Sequence, residues 1–167
     1  MNSDVTAINA YKGKGLLIDT NLLLLFFVGL HNQGSIQRFK RTMQFTPDDF
    51  SYLAGVIQLF KQVVTTPSIL TEVSNLLGQL REGTRLSVFR IFALGIERFE
   101  ERFTPSRELA QQPHFPKFGL TDTGIAQSAK GNFLVLTDDF RLAGYLEHHG
   151  IDVVNFNHLR MVYLLRQ

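Results

Sequence analysis

The stretch Gly13–Phe27 reads GKGLLIDTNLLLLFF, and it decides how the chain begins to fold. Gly15–Ile18 is a short apolar run that ends in turn-forming residues, which is typical of a buried strand. Asn21–Leu30 is apolar almost all round and predicts a buried helix. Because a carboxylate inside an apolar run is costly to bury, Asp19 is expected to emerge at the end of the strand.

The composition is that of a folded domain of ordinary size. Of the 167 residues 44% are hydrophobic, and the 19% that are charged are too few for a disordered or coiled-coil chain. Cysteine is absent, which excludes disulfide frameworks and thiolate zinc sites and makes an intracellular location the default. The net charge of +2 fits a nucleic-acid partner, but a solvated basic surface explains it equally well.

The apolar segment does not have the pattern of a membrane span or a secretion signal. Leu22–Leu30 is too short to cross a bilayer, and Asp19 interrupts the longer apolar run. No repeat, low-complexity segment or interdomain linker divides the sequence. We therefore expect one domain over residues 1–167, with no membrane partner and a cytoplasmic location.

Further along the chain, short apolar strands alternate with helices. Strands are predicted at Val63–Thr66, Phe133–Thr137 and Ile151–Val154, with helices between them that include a long one over Thr84–Phe103. This alternation indicates a parallel sheet with helices on both faces. The predicted fold class is α/β, a three-layer α/β/α sandwich with a central, mostly parallel sheet.

Acidic side chains follow the predicted strands, at the edge where parallel sheets bind ligands. Asp19 follows the first strand directly, and Asp138 and Asp139 follow the third. Glu72 lies in the second turn of the helix after the second strand, and Asp122 lies in the first turn of the helix that leads into the third. The helix dipole explains the three later aspartates equally well. It does not explain Asp19 or Glu72, which border apolar faces.

These five acids predict a metal site if they converge. Carboxylates that meet within a few ångströms repel one another and stay ionised only if a cation neutralises them. Oxygen ligands without cysteine or clustered histidine favour Mg²⁺ or Mn²⁺ over zinc. A divalent cation held in this way activates water and stabilises an in-line displacement at phosphorus. The residues alone thus predict a metal-dependent hydrolase that acts on phosphodiesters.

Four motifs occur in an order that resembles the PIN-domain nucleases: LLIDTNLLL, PSILTEV, GLTDTGIAQSA and FLVLTDDFRL. The resemblance spans about Leu16–Phe156. It implies a parallel α/β/α sandwich and an Mg²⁺- or Mn²⁺-dependent ribonuclease. Many bacterial members of this family are toxins of the VapC type, so the resemblance also implies RNA as the substrate and an antitoxin protein as a partner.

The resemblance assigns catalysis and metal binding to the residues at the acidic positions of the family: Asp19, Glu72, Asp122 and Asp139. Asp138 is next to the T-x-D position of the family and is a further candidate metal ligand. Asn21 and Thr137 match the polar residues that support the acidic set. The site predicted in this way combines residues from almost the whole length of the chain.

The segment at residues 31–62 departs from the family pattern because it is longer than in compact members. We expect it to form a lid, a homodimer contact or an antitoxin-binding surface. Arg38, Lys40 and Arg41 within it are candidates for contacts to RNA phosphates.

Three other functions are compatible with some of these residues. The first is a PIN-like module that binds RNA or a protein without cleaving, and the complete set of acids weighs against it. A phosphatase of the haloacid dehalogenase type needs a second aspartate where this chain has Asn21. A two-component receiver needs a lysine just after a late strand, whereas Lys117 and Lys130 precede the third predicted strand.

Overall fold

The computed structural model describes Ser3–Leu164, and strands and helices alternate through this range as the sequence predicts. The strands are β1 Leu16–Ile18, β2 Val63–Thr65, β3 Glu100–Glu101, β4 Leu134–Thr137 and β5 Val153–Asn155. The helices are α1 Ser3–Tyr11, α2 Thr20–His31, α3 Pro47–Gln58, α4 Pro67–Leu77, α5 Glu82–Ile96, α6 Ser106–Leu109, α7 Phe115–Ala129, α8 Phe140–His148 and α9 Phe156–Leu164. Residues 1–2 and 165–167 of the predicted domain lie outside the described residues.

The strands of the described chain form one parallel sheet in the order β3-β2-β1-β4-β5. β1 is central and pairs with β2 on one side and with β4 on the other, where Ile18 lies opposite Leu136. Every residue of β1 and β4 is buried, as expected for strands covered on both faces. The predicted α/β/α sandwich is confirmed, and its sheet is parallel throughout.

The strand order reverses at β1. From β1 the chain moves outward to β2 and β3, and it then returns to the other side of β1 as β4 and β5. The segments that follow β1 and β4 therefore lead away from each other at the carboxyl edge of the sheet. In open α/β sheets such a reversal leaves a crevice in which ligands bind.

Helix α2 is buried on almost every side, as its unbroken apolar sequence predicts. Leu22–Leu25 and Phe27 are inaccessible to solvent. Gly29 is required where α2 meets α3, because a Cβ at this position would overlap the ring of Phe50. No helix in residues 3–164, α2 included, has the length and apolarity needed to cross a bilayer. The tight packing of α2 fixes the backbone of Asp19, which is its N-cap.

The segment at residues 31–62 is anchored in the hydrophobic core. Several of its side chains belong to the same buried cluster as the sheet: Ile36, Phe45, Phe50 and Leu53. Thr46 and Asp49 form a capping box at the start of α3, where the sequence predicts a helix start. The roles predicted for this segment, as a lid, a homodimer contact or an antitoxin surface, stay predictions.

The long helix predicted over Thr84–Phe103 is wrong beyond Ile96. Helix α5 ends at Ile96, and the chain then forms the short strand β3. β3 pairs with β2, and the N–H group of Arg102 donates to the carbonyl of Thr65 at 2.8 Å. Because β3 is an edge strand of two glutamates, no apolar run marks it in the sequence.

Helix α1 also has no counterpart among the predicted elements. Of its residues only Ile8 and Tyr11 are buried, which is too few for a periodic apolar stripe. The hydroxyl of Tyr11 donates a 2.5 Å hydrogen bond to Asp152, just before β5. This bond, together with burial, raises the pKa of Tyr11 to about 12. Helix α1 is therefore attached through a long-range contact that local sequence does not reveal.

Candidate active site

A cleft of about 380 Å³ opens at the carboxyl edge of the sheet, beside the ends of β1 and β4. It is lined by side chains from α4, α7 and the starts of α2 and α8: Asp19, Thr20, Asn21, Glu72, Asn75, Leu76, Asp122 and Asp139. The four acids at the predicted catalytic positions therefore share one cleft. It lies where the strand order reverses, which is the expected ligand position in this type of sheet.

Asp19 is nearly buried in this cleft, with 7% of its surface exposed. Its Oδ1 accepts a hydrogen bond from the N–H group of Thr20 at 2.6 Å, and its Oδ2 accepts one from the hydroxyl of Thr137 at 2.6 Å. Burial raises the pKa of Asp19 to about 6, against the effect of these two bonds. The charges of Asp138 and Asp139 add to the rise. The carboxylate is thus held in place by hydrogen bonds, and within residues 3–164 it forms no ion pair.

Glu72 is exposed at the cleft and is held by two threonine hydroxyls. Thr20 donates to its Oε2 at 2.7 Å, and Thr121 donates to its Oε1 at 2.5 Å. These bonds connect α4 to the start of α2 and to α7, so three helices set the position of one carboxylate. Thr121 is not among the site residues predicted from the sequence. The feature that could have identified it is its hydroxyl-bearing side chain directly before Asp122.

The carboxyl group of Asp122 is strongly perturbed by its surroundings. Burial raises its pKa, and the negative charges of Asp19, Asp139 and Glu72 add to the rise, to about 7. The positive charge of Arg141 opposes this effect only in part. The coupling of Asp122 to three other acids means that the ionised cluster is unfavourable without a cation or a proton.

A break in α7 positions Asp122. Gly119 has a φ of 74° and a ψ of −167°, which lie outside the helical region, so the regular helix restarts after it. Glycine is the residue that adopts this conformation without strain. Asp122 consequently lies in the first turn of the second part of α7, as the sequence predicts.

Asp138 and Asp139 follow β4 but have different neighbours. Asp139 caps α8, since its Oδ1 accepts from the N–H groups of Arg141 at 2.7 Å and Leu142 at 3.2 Å. Asp138 is not among the residues that line the cleft. Its Oδ1 accepts from Nδ2 of Asn21 at 3.3 Å, and burial raises its pKa. The role of Asp138 as a metal ligand stays a prediction.

The donor set of the cleft fits a hard divalent cation in its chemistry. It consists of carboxylate, hydroxyl and amide oxygens, which are the ligands that Mg²⁺ and Mn²⁺ prefer. In residues 3–164, however, no three acidic or histidine side chains are grouped so that they could hold an ion as they stand. Threonine hydroxyls and backbone amides orient the carboxylates instead. Metal binding would therefore require the carboxylates of the cleft to rearrange.

The basic residues predicted to contact phosphates lie outside this cleft. Arg38 lines a second concave surface, of about 390 Å³, beside the end of α4. Nε of Arg41 donates to Oε1 of Gln79 at 2.9 Å at the same place, and Lys40 is exposed to solvent. Arg81 also lines this surface, although the sequence does not single it out.

The fold and the cleft together define a class of protein. It is a doubly wound parallel α/β protein with an acid-lined cleft where the strand order reverses. No protein-family model matches the chain, and no curated protein matches it significantly. The likeness to the PIN-domain nucleases therefore rests on the four motifs and stays a prediction.

Proposed function

We propose that the protein is a metal-dependent endoribonuclease that hydrolyses RNA phosphodiester bonds in the acid-lined cleft. The observation that carries the proposal is that Asp19, Glu72, Asp122 and Asp139 come from separate parts of the chain and line one cleft. Burial, together with the charges of neighbouring acids, raises the pKa of Asp19 to about 6 and that of Asp122 to about 7. Perturbed groups of this kind cluster at functional sites.

Mg²⁺ or Mn²⁺ is the cofactor in this proposal. The four carboxylates of the cleft would hold it, and Asp138 is a further candidate ligand. When bound, a divalent cation stabilises the charge that develops on the phosphate and makes a water molecule more acidic. Asp19 and Asp122 would then ionise at a lower pH, because the repulsion that raises their pKa values is neutralised.

Neighbouring hydroxyls orient the acids for this role. Thr137 donates to Asp19 and favours its ionised form. Thr20 and Thr121 hold both oxygens of Glu72 in one position. These hydroxyls thus keep the carboxylates at the cleft in the absence of metal, and the carboxylates would rearrange around a cation when it binds.

The choice of RNA as the substrate follows from the resemblance to PIN-domain nucleases. Arg38 and Arg81, which line the concave surface beside the end of α4, suit a phosphate ligand. A cytoplasmic location, an antitoxin partner and self-association into a homodimer belong to the same proposal. A small neighbouring reading frame with a DNA-binding pattern would support the toxin role.

The alternative function is a PIN-like module that binds RNA or a partner protein without cleaving. One observation favours it: within Ser3–Leu164 no three acidic or histidine side chains are placed to hold an ion as they stand. Against it, all four family positions carry acids: Asp19, Glu72, Asp122 and Asp139. The two functions differ in whether the cleft binds a divalent cation.

Incubation of the purified chain with a panel of labelled single-stranded RNAs tests the proposal. We expect cleavage in Mg²⁺ or Mn²⁺, no cleavage in EDTA, and recovery when excess cation is restored. A Glu72→Gln preparation run in parallel should be inactive, which excludes a contaminating nuclease. Cleavage that persists in EDTA, or no cleavage of any RNA in the panel, would contradict the proposal.

A further inference from the structure

A second concave surface, called the arginine groove below, lies beside the acid-lined cleft and has a volume of about 390 Å³. Its walls come from the segment after α2, from the turn that ends α4 and from the start of α5: Ser35, Arg38, Phe39, Gln79, Leu80, Arg81 and Thr84. Two of these side chains are arginines, and none of them is acidic. The groove is therefore a positively charged surface next to a negatively charged one.

Both arginines of the groove are available to a ligand. Arg38 and Arg81 are exposed, and neither forms an ion pair with another residue of Ser3–Leu164. By contrast, the guanidinium of Arg160 reaches the carboxylate of Asp49 at 3.4 Å. Two unpaired guanidinium groups on one concave surface attract an anion, and their planar fork of donors suits a phosphate.

The start of α5 adds further donors to the groove. Arg81 is the N-cap of this helix, and no described side chain accepts hydrogen bonds from its first amides. The helix has 15 residues, so these amides carry the positive end of its dipole, which the exposed carboxylate of Glu82 in the first turn offsets in part. Thr84 in the first turn adds a hydroxyl to the wall, and Phe39 offers a ring on which a base can stack.

The C-terminal end of α4 and the turn that follows it contribute to both the cleft and the groove. Leu76 lines the cleft, and Gln79 and Leu80 line the groove. The chain keeps a helical course between them, since the N–H group of Gln79 donates to the carbonyl of Leu76 at 3.1 Å. The residues that line the two surfaces are thus separated by a single turn of the chain, which places the cleft and the groove next to each other.

We propose that the arginine groove binds backbone phosphates of a single-stranded RNA whose scissile phosphate lies in the acid-lined cleft. The inference rests on the proposed nuclease function and adds the path of the strand beyond the site of chemistry. The groove offsets the repulsion between a polyanion and a cleft of four acids. Contacts to backbone phosphates position a strand but carry no sequence information, so the groove sets the affinity and register of the RNA rather than its sequence preference.

Fluorescence anisotropy with a labelled single-stranded RNA tests the inference in EDTA, where binding is measured without cleavage. We expect Arg38→Gln and Arg81→Gln each to weaken binding severalfold, with a larger effect in the double variant. The slope of log affinity against log salt should flatten by about 0.7 for each phosphate that the variant no longer neutralises. Arg81→Lys keeps the charge and should retain most of the salt dependence.

Arg90→Gln is the matched control, because Arg90 is also an exposed arginine of α5 but does not line the groove. It should alter neither the affinity nor the salt dependence. The inference would be overturned if the parent chain bound no RNA, if the double variant bound like the parent, or if Arg90→Gln caused an equal loss. The two proposals fail in different experiments. Failure of the nuclease function appears as a lack of metal-dependent cleavage, whereas failure of the groove inference appears in the binding assay in EDTA.

Discussion

The hydroxyl of Thr137 donates a 2.6 Å hydrogen bond to Oδ2 of Asp19, which lies 118 residues earlier in the chain. Parallel pairing of β1 with β4 brings the two together, since Ile18 and Leu136, the residues just before them, lie opposite each other. The same hydroxyl accepts a hydrogen bond from the N–H group of Asp139 at 3.0 Å. The buried hydroxyl of Thr137 therefore links Asp19, which follows β1, to the backbone of Asp139, which follows β4.

Replacement of Thr137 by valine should reduce both cleavage and stability. Asp19 loses a donor that lowers its pKa, so its pKa rises and the acid limb of the pH–activity profile moves to higher pH. A buried bond whose partners are left unpaired costs about 1–3 kcal/mol. Thr137→Ser keeps the hydroxyl and should restore the profile. An unchanged pH–activity profile in Thr137→Val would show that this hydroxyl does not act on the site.

The two buried carboxylates of Asp19 and Asp49 should respond differently to replacement by asparagine. Asp19→Asn should lower cleavage by more than about 100-fold, because even the partners of metal ligands contribute about 10–100-fold. Asp49 closes the capping box of α3, so Asp49→Asn should lower the unfolding free energy by about 1 kcal/mol and leave cleavage intact. Cleavage assays and thermal denaturation measure the two effects. Equal losses of activity would mean that Asp19 serves only the fold.

Asp122→Asn should stabilise the metal-free protein. The pKa of Asp122 is raised from 3.8 to about 7 in the folded chain, so the ionised form opposes folding. The stability associated with the protonated group is fully present below pH 3.8 and is lost as the pH rises through about 7. The advantage of the variant over the parent should therefore grow between about pH 4 and about pH 7 and level off above that range. Thermal denaturation in EDTA measures this difference.

Addition of Mg²⁺ should reverse the order of these two proteins. The parent gains stability because its folded form binds the cation, and Asp122→Asn, with one carboxylate fewer, gains less. The gain should be larger at high pH, because protons compete with the cation for the same oxygens. A parent protein whose stability responds neither to pH in this window nor to Mg²⁺ would be evidence against a metal site.

Two glycines at α7 provide a matched pair of backbone variants. Gly119 and Gly131 have φ values of 74° and 73°, and no atom within 4 Å obstructs a Cβ at either position. Alanine at each should therefore cost about 1–3 kcal/mol through backbone strain alone, and Gly119 should lie at the upper end because its ψ of −167° belongs to a region that essentially only glycine adopts. Gly119→Ala should also displace the helical turn that carries Asp122 and reduce cleavage, whereas Gly131→Ala should not. Equal cleavage by the two variants would remove the positioning role of Gly119.

The acid-lined cleft is predictable from the sequence because its signals are local. Asp19 directly follows the apolar strand β1, and Asp139 lies two residues after the end of β4. Parallel strands bring their carboxyl ends to one edge of the sheet. The hydroxyl support of Glu72 is different, since Thr20 and Thr121 reach it only after three helices have packed. No spacing in the sequence encodes that contact.

Other elements are missed for similar physical reasons. Strand β3 is an edge strand of two glutamates, and α1 buries only two side chains, so neither has an apolar pattern. Arg38 and Arg81 line the arginine groove from the segment after α2 and from the start of α5, which are far apart in the sequence. Long-range packing of this kind leaves no periodic signal in the sequence.

Calorimetric titration of Mn²⁺ into the metal-free protein is the most direct test of a metal site in the acid-lined cleft. Near pH 6.5 (about midway between the two raised values) we predict binding with release of protons, because Asp19 and Asp122 have pKa values of about 6 and about 7 and must ionise to bind. Asp19→Asn should show little or no binding. No binding by the parent, or binding of equal strength by Asp19→Asn, would contradict the assignment.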